Sequence, residues 1–145
     1  MRKNHGYTVL VADDEPEVVN LVRIMLETEG YTVLAAADGE QTLTQARAHQ
    51  PDLILLDVRM PRMSGLMVLN YLRQDPALAS IPVIMLSVVT TYPEVRSALE
   101  QGAVAYLSKP FELREMVRLV GHILALDAVG RERLRQHALS DLGRR

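Results

Sequence analysis

Residues 53–57 are Leu53-Ile54-Leu55-Leu56-Asp57, four large aliphatic side chains followed by an acid. Pro51 and Pro61 bound this run, which predicts a short strand buried on both faces. Such strands occur where helices cover both sides of a parallel sheet. Asp57 then stands at the carboxyl end of a strand, where open α/β sheets bind their ligands. Taken alone, Asp57 is equally compatible with an acid that caps the following turn.

The composition is that of a globular protein of about one domain. The chain has 145 residues, of which 48% are hydrophobic and 23% charged. The sequence contains no signal-peptide core and no apolar run of about 20 residues, the length that spans a bilayer. The absence of cysteine excludes disulfides, thiolate metal sites and a cysteine nucleophile, and it favours the cytoplasm. The net charge of −2 does not favour direct binding to nucleic acid or to a membrane.

Apolar runs and helix signals alternate along the chain. Strands are predicted at residues 7–12, 31–36, 53–57, 82–87 and 103–107. Helices are predicted at residues 16–30, 38–49, 64–75, 91–101 and 113–124. Pro16 suits a first helical turn, Asp38 and Gln41 match a capping box, and Ser64 suits an N-cap. Five βα units with right-handed crossovers predict a doubly wound, five-stranded parallel sheet with helices on both faces, a (βα)5 sandwich of three layers.

The end of the chain differs in composition from the part before it. Residues 127–145 hold five arginines against three acids, and Leu134, Ala138 and Leu142 recur at a spacing of four. We expect residues 1–126 to form one domain. Residues 127–145 are expected to be a basic tail, either a short helix or disordered, and too small to be a second domain.

Polar residues follow four of the five predicted strands. The set consists of Asp13, Asp14, Asp57, Ser87 and Lys109. Because parallel strands end at one edge of the sheet, we expect these side chains to lie together. Two carboxylates about 4 Å apart repel by roughly 4 kcal/mol at an effective dielectric constant near 20. A cluster of three therefore predicts a bound cation, and hard oxygen ligands suit Mg²⁺ completed by a phosphate.

The other members of the set indicate phosphoryl chemistry. A carboxylate such as Asp57 can act as a nucleophile and carry a phosphoryl group as an acyl phosphate. Lys109 and Ser87 could hold phosphoryl oxygens, by charge and by hydrogen bond. Of the 16 basic residues only Lys3 and Lys109 are lysines, so a compact ammonium at residue 109 is unusual for this chain.

In this order and spacing, the five positions resemble the receiver domain of bacterial two-component response regulators, over about residues 7–126. The resemblance implies the flavodoxin-like sandwich and a phosphoryl group transferred to Asp57 from a histidine kinase or a histidine phosphotransfer protein. It implies that Asp14, Asp57 and the backbone carbonyl of Arg59 bind Mg²⁺, with Asp13 assisting through water. It also implies a switch pair, Ser87 and Tyr106, and a cis bond between Lys109 and Pro110.

The same resemblance implies a signalling protein that catalyses only its own phosphotransfer and dephosphorylation. A downstream protein, or a second copy, is expected on the face made by the fourth helix, the fifth strand and the last helix. Two features depart from the family. Val88 replaces the usual Ala or Gly and is expected to crowd the phosphoryl site. The positions that pair acids with arginines in the dimers of one branch are occupied by Val104, Ala105, Leu119 and Ile123, which does not favour that dimer.

Three alternatives remain. The chain could be a receiver fragment of a longer response regulator with an output domain. It could be a phosphatase with an aspartate nucleophile, although the dehalogenase-type motif is Asp-x-Asp, whereas Asp13 and Asp14 are adjacent. A flavodoxin-like cofactor binder shares the fold class, but no phosphate loop rich in Gly, Ser or Thr follows the first strand.

Overall fold

The computed structural model of the chain describes residues 6–88 and 90–143. Five parallel strands form one sheet in the order β2-β1-β3-β4-β5. The strands are β1 (Thr8–Ala12), β2 (Thr32–Ala36), β3 (Leu53–Asp57), β4 (Val83–Ser87) and β5 (Ala105–Ser108). The helices are α1 (Pro16–Thr28), α2 (Gly39–His49), α3 (Gly65–Gln74), α4 (Tyr92–Glu100), α5 (Leu113–Ala125) and α6 (Ala128–Leu142). Within the described ranges, no helix has the length and apolar character needed to cross a membrane.

Both faces of β3 are buried, as the run of residues 53–57 predicts. Ile54 and Leu56 lie in the apolar layer that α2, α3 and α4 cover, whereas Leu53 and Leu55 lie in the layer covered by α1 and α5. All four side chains are fully buried. The alternation follows from the two-residue period of a strand. The predicted α/β sandwich of three layers is therefore confirmed.

Local capping signals in the sequence correspond to hydrogen bonds in the structure. The Asp38 carboxylate accepts from the Gln41 N–H (2.8 Å), and the Gln41 side chain accepts from the Ala37 N–H (2.9 Å). The Ser64 hydroxyl accepts from the Met67 N–H (3.3 Å). These bonds satisfy backbone donors that a helix leaves unpaired in its first turn.

The fifth strand begins two residues later than the sequence pattern predicts. Ala103 lies in the turn that closes α4, because its N–H donates to the Ala98 carbonyl (3.0 Å) and the Gly102 N–H donates to the Leu99 carbonyl (3.1 Å). Gly102 has a φ of 107°, the left-handed conformation in which glycine commonly ends helices. The boundary predicted at residue 103 is therefore wrong, since the turn that closes α4 uses that residue.

Residues 128–142 of the basic tail form the helix α6, which packs on α4 and β5. Its surroundings include an apolar surface that we call the α4–β5–α5 face, formed by Val95, Leu99, Ala105, Tyr106 and Leu119. This is the face on which the family resemblance leads us to expect a downstream partner or a second copy. In the structure, a segment of the chain itself lies against it.

Candidate functional site

The carboxyl ends of the central strands bring the predicted polar residues to one edge of the sheet. Asp57 and Ser87 are the last residues of the neighbouring strands β3 and β4. Asp13 follows β1, and its N–H donates to the Ala36 carbonyl (3.1 Å). Lys109 follows β5, and its N–H donates to the Ser87 carbonyl (2.7 Å). The backbone of the sheet thus brings these side chains to one edge, independently of the contacts that the side chains make with one another.

Three carboxylates form one cluster at this edge. Asp13, Asp14 and Asp57 each offer an oxygen, and these oxygens all lie within 4.8 Å of one another. Asp13 and Asp57 are buried, whereas Asp14 is exposed. The buried Asp13 Oδ2 lies 2.7 Å from the Lys109 ammonium. Three carboxylates this close together carry more negative charge than one ammonium neutralises, so the cluster is suited to a further cation.

Lys109 reaches into the cluster and pairs with three acids. Its Nζ atom lies 2.7 Å from Asp13 Oδ2, 3.2 Å from Glu15 Oε1 and 3.3 Å from Asp57 Oδ2. Its side chain is only 9% exposed. Burial alone lowers the pKa of Lys109, but contact with Asp13 and the charges of Asp13 and Asp57 hold it above its ordinary value. The ammonium is therefore charged at physiological pH.

Asp57 is the carboxyl group whose protonation the site changes most clearly. Burial raises its pKa from the ordinary value of 3.8 to about 6, and the negative charge of Asp13 adds to the effect. The Lys109 charge and a hydrogen bond from the Arg59 N–H (3.2 Å) act in the opposite direction. A carboxylate that is only 4% exposed, and that is repelled by its neighbour, gains stability when a cation or a proton reaches it.

The turn after β3 leaves no room for a side chain at Gly65. A Cβ atom at this position would collide with the backbone carbonyl of Asp57. The Gly65 N–H donates to the Val58 carbonyl (2.7 Å), and the Val58 N–H donates to the Leu86 carbonyl (2.9 Å). The absence of a side chain at residue 65 therefore allows the start of α3 to close against the end of β3 and position the acid.

The polar groups line an open cavity of about 270 Å³. Its lining consists of Asp14, Glu15, Asp57, Arg59, Ser87, Val88 and Lys109. The Val88 side chain is 65% exposed, so it stands at the rim. The cavity combines a buried carboxylate, an ammonium and a hydroxyl, groups of the kinds that can receive and hold a phosphoryl group. The sequence pattern did not assign a role to Glu15, although it follows Asp13 and Asp14 directly.

Ser87 and Tyr106 are in contact on neighbouring strands. They lie on β4 and β5, and their side chains are hydrogen-bonded to each other. Burial raises the pKa of the Tyr106 hydroxyl, and the bond with Ser87 partly opposes this shift. Ser87 is buried beside the cavity, while Tyr106 reaches the α4–β5–α5 face. The pair thus connects the acidic edge with that face.

The bond between Lys109 and Pro110 is cis.

The residues present fit a magnesium ion. The donor set consists of carboxylate oxygens, which a hard cation prefers, and the three acids carry more negative charge than the Lys109 ammonium offsets. Asp14 is exposed, so it faces a side from which hydrated metal can enter. Arg59 lines the cavity of about 270 Å³, so its backbone carbonyl is a candidate ligand beside Asp14 and Asp57.

A family model described as the response regulator receiver domain matches residues 9–121. Two curated relatives are DNA-binding response regulator MtrA from Mycolicibacterium smegmatis, 39% identical over 112 residues, and the alkaline phosphatase synthesis transcriptional regulatory protein PhoP from Bacillus subtilis, 40% identical over 116 residues. The matches cover 77% and 80% of this chain. In both cases the match covers 48% of the relative, so the chain spans about half the length of these curated proteins.

Solved structures of response regulators are also similar to this chain. A response regulator from Chloroflexus aurantiacus is similar with a TM-score of 0.78 and 35% identity, over 83% of this chain and 98% of that chain. The chemotaxis response regulator CheY4 of Vibrio cholerae is similar with a TM-score of 0.77 and 29% identity, over 81% of this chain and 98% of that chain. The similarity in both cases extends over nearly the whole of the other chain.

Proposed function

The chain belongs to the response regulator receiver domain family, and on this basis we propose that it accepts a phosphoryl group on Asp57 from a phosphohistidine. The donor is a histidine kinase or a histidine phosphotransfer protein. The observation that carries the proposal is the position of Asp57, a buried carboxylate in a cavity of about 270 Å³ with Lys109 Nζ at 3.3 Å. Strand β3 and the turn at Gly65 hold this carboxylate in place.

In the proposed transfer, an oxygen of Asp57 attacks the phosphorus atom of the phosphohistidine. The new O–P bond forms as the P–N bond breaks, and the imidazole nitrogen keeps the electron pair of that bond. The attacking oxygen must be ionised, and with a pKa of about 6 most of the Asp57 carboxyl is ionised at pH 7. Asp57 therefore enters the reaction as a carboxylate, and in the acyl phosphate the negative charge lies on the phosphoryl oxygens, within reach of Lys109.

The neighbouring groups hold the phosphoryl oxygens. Lys109 supplies a compact positive charge, and Ser87 supplies a hydroxyl donor on the adjacent strand. We assign the magnesium ligands to Asp14, Asp57 and the backbone carbonyl of Arg59, with Asp13 acting through water. When bound, the metal offsets the negative charge that accumulates on the transferring group. The chain then acts as a signalling protein whose only reactions are its own phosphorylation and dephosphorylation.

DNA binding and transcriptional control are properties named for the whole relatives, of which this chain spans about half. For this chain we propose only the role of the receiver domain. In that role, a phosphoryl group on Asp57 changes the hydrogen-bonded contact between Ser87 and Tyr106. Tyr106 reaches the α4–β5–α5 face, and a downstream protein or a second copy would sense the change there.

The test uses the full chain with Mg²⁺ and phosphoramidate, which donates a phosphoryl group without a kinase. Intact mass measurement should show the addition of one phosphoryl group, and alkaline treatment should remove it, because acyl phosphates are labile to base. Asp57→Asn should abolish the addition. Asp52→Asn makes the same chemical change at an exposed residue outside the cluster and should preserve it.

Two outcomes would reject the proposal. A phosphoryl group that remains on the Asp57→Asn variant would place the acceptor elsewhere. Many turnovers of p-nitrophenyl phosphate that require Asp57 would favour the phosphatase alternative. The incubation is followed to its end point, because Val88 at the rim of the cavity is expected to slow the reaction with small donors.

A further inference from the structure

We propose that α6 is a detachable cover of the α4–β5–α5 face, and that a phosphoryl group on Asp57 releases it through Tyr106. The inference rests on the proposed function, because the phosphoryl group is the trigger. The family match ends at residue 121, whereas α6 spans Ala128–Leu142. The cover is therefore a feature of this chain beyond the matched domain.

Two arginines attach α6 to the ends of other helices. Arg135 Nη1 donates to the Leu99 carbonyl (2.6 Å) at the carboxyl end of α4. Arg131 Nε donates to the Ile123 carbonyl (3.1 Å) near the carboxyl end of α5. Cations are favourable at these ends, where helix carbonyls carry partial negative charge. The attachment is thus polar and directional.

Glu132 orients the Arg135 guanidinium. Its two carboxylate oxygens accept from Arg135 Nε (2.8 Å) and Nη2 (2.7 Å). These contacts, with a hydrogen bond from Gln136, lower the pKa of Glu132 to about 2. The pair leaves Arg135 Nη1 free to reach α4, so Arg135 is the main polar anchor of the cover.

The apolar part of the attachment is only partly buried, although Leu134 packs against the core. Leu134, Ala138 and Leu142 face the α4–β5–α5 face, but none of the residues of α6 is buried. A cavity of about 550 Å³ remains between the helix and the face, so many possible van der Waals contacts are not made. In contrast, α5 buries Met116 and Val120 completely. We therefore infer that α6 can leave while the rest of the core stays intact.

Tyr106 links this cavity to Asp57. Its hydroxyl is hydrogen-bonded to Ser87, which lines the phosphoryl cavity, and its ring lines the cavity beneath α6 together with Leu134 and Ala138. Ser87 has one hydroxyl proton. When that proton is donated to a phosphoryl oxygen, the hydroxyl turns toward Asp57 and away from Tyr106. We expect this turn of the hydroxyl to change its contact with Tyr106, so that the ring moves and its contacts with α6 change.

Hydrogen exchange of the full chain, followed by mass spectrometry, tests the cover. Beryllofluoride with Mg²⁺ serves as the phosphoryl mimic, and the ¹⁹F signal of bound beryllofluoride reports binding at Asp57. We expect beryllofluoride to accelerate exchange in peptides of α6 about tenfold, while peptides of β1 and β3 stay protected. Without beryllofluoride, Arg135→Ala should produce a similar acceleration, because it removes the anchor on Leu99.

The matched control is Arg133→Ala, which makes the same change at an exposed residue of the same helix. It should leave the exchange of α6 at the native level. Equal acceleration in the two variants would overturn the anchor, and with it the cover. Bound beryllofluoride with unchanged or slower exchange of α6 would overturn the inference and leave the proposed function intact. The absence of a bound ¹⁹F signal would instead reject the proposed function, and the release mechanism with it.

Discussion

At the scale of single residues, the site is a balance of charges around Asp57. The sequence pattern brought Asp13, Asp14 and Asp57 together with Lys109, and the structure gives the distances at which they interact. Lys109 contacts Asp13 and Asp57 but also Glu15. One ammonium thus partly neutralises three acids, and burial together with the negative charge of Asp13 raises the pKa of Asp57. Substitutions that alter only the charge or the shape of these side chains should therefore have measurable effects on stability or on phosphorylation.

Asp57→Asn should raise the stability of the metal-free protein. Folding raises the pKa of Asp57 from 3.8 to about 6, so the charged form opposes folding. Asp57 therefore makes its favourable contribution to the free energy of unfolding below pH 4, where it is protonated. This contribution is lost as the pH rises through 6. Replacing the carboxyl by an amide should add up to about 3 kcal/mol to the free energy of unfolding at pH 7.5, and much less at pH 4.

The measurement is urea unfolding in the presence of a chelator at both pH values. The control, Glu17→Gln, changes an exposed acid in the first turn of α1 and should add no stability at either pH. An Asp57→Asn variant no more stable than the native chain at pH 7.5 would mean that the carboxylates do not repel one another in the folded protein.

Lys109→Arg should separate phosphorylation from its consequences. A guanidinium is wider and planar, whereas the space between Asp13 and Asp57 holds a compact ammonium that is only 9% exposed. We expect the variant to fold, to bind Mg²⁺ and to be phosphorylated slowly. Phosphorylation of the variant should not change the environment of Tyr106. Amide chemical shifts around Tyr106, recorded with and without beryllofluoride, check this expectation. Shifts equal to those of the native chain would show that any positive charge suffices at residue 109.

At the scale of elements, one half-buried arginine, Arg73, connects segments that the sequence pattern left as loops. Arg73 Nη1 donates to the carbonyls of Ala79 (2.7 Å) and Ile81 (2.9 Å), and Nη2 donates to Gly102 (3.1 Å). Burial and the charge of Arg135 lower the pKa of Arg73. The end of α3 is thereby joined to the segment before β4 and to the turn after α4.

Arg73→Leu should destabilise the protein by about 2 to 4 kcal/mol, because three carbonyls lose a charged donor and only some of them can reach water. Arg47→Leu is the control, since Arg47 makes only a long contact of 4.0 Å with Asp75 on the surface. It should change the free energy of unfolding by less than about 0.5 kcal/mol. Urea unfolding measures both variants, and equal effects would contradict a structural role for Arg73.

At the scale of the whole molecule, the parallel sheet concentrates negative charge at one edge while the formal net charge is only −2. The strands and turns that place the carboxylates belong to the same folded unit, so an unfolded chain does not hold them together. A metal that binds this cluster should therefore stabilise the protein as a whole.

Millimolar Mg²⁺ should raise the unfolding midpoint of the native chain. A ligand that binds only the folded state adds about 2.7 kcal/mol at a hundredfold excess over Kd. Asp14→Ala removes the exposed ligand of the cluster and should lose most of this gain. Glu17→Ala, which removes an exposed acid three residues later, should keep it. Thermal unfolding with and without Mg²⁺ gives the comparison, and equal gains in both variants would place the metal elsewhere.

The sequence alone determined the fold class, the family and the set of residues at the edge of the sheet. Periodicity and capping residues are local signals, and the connections of a parallel sheet bring all strand ends to one side. Tertiary structure decided what depends on contacts between distant segments. Examples are the contact of Glu15 with Lys109, the later start of β5 after the turn at Gly102, and the position of α6 on the α4–β5–α5 face. Sequence spacing does not specify these contacts, because side chains far apart in the chain meet only after the helices pack.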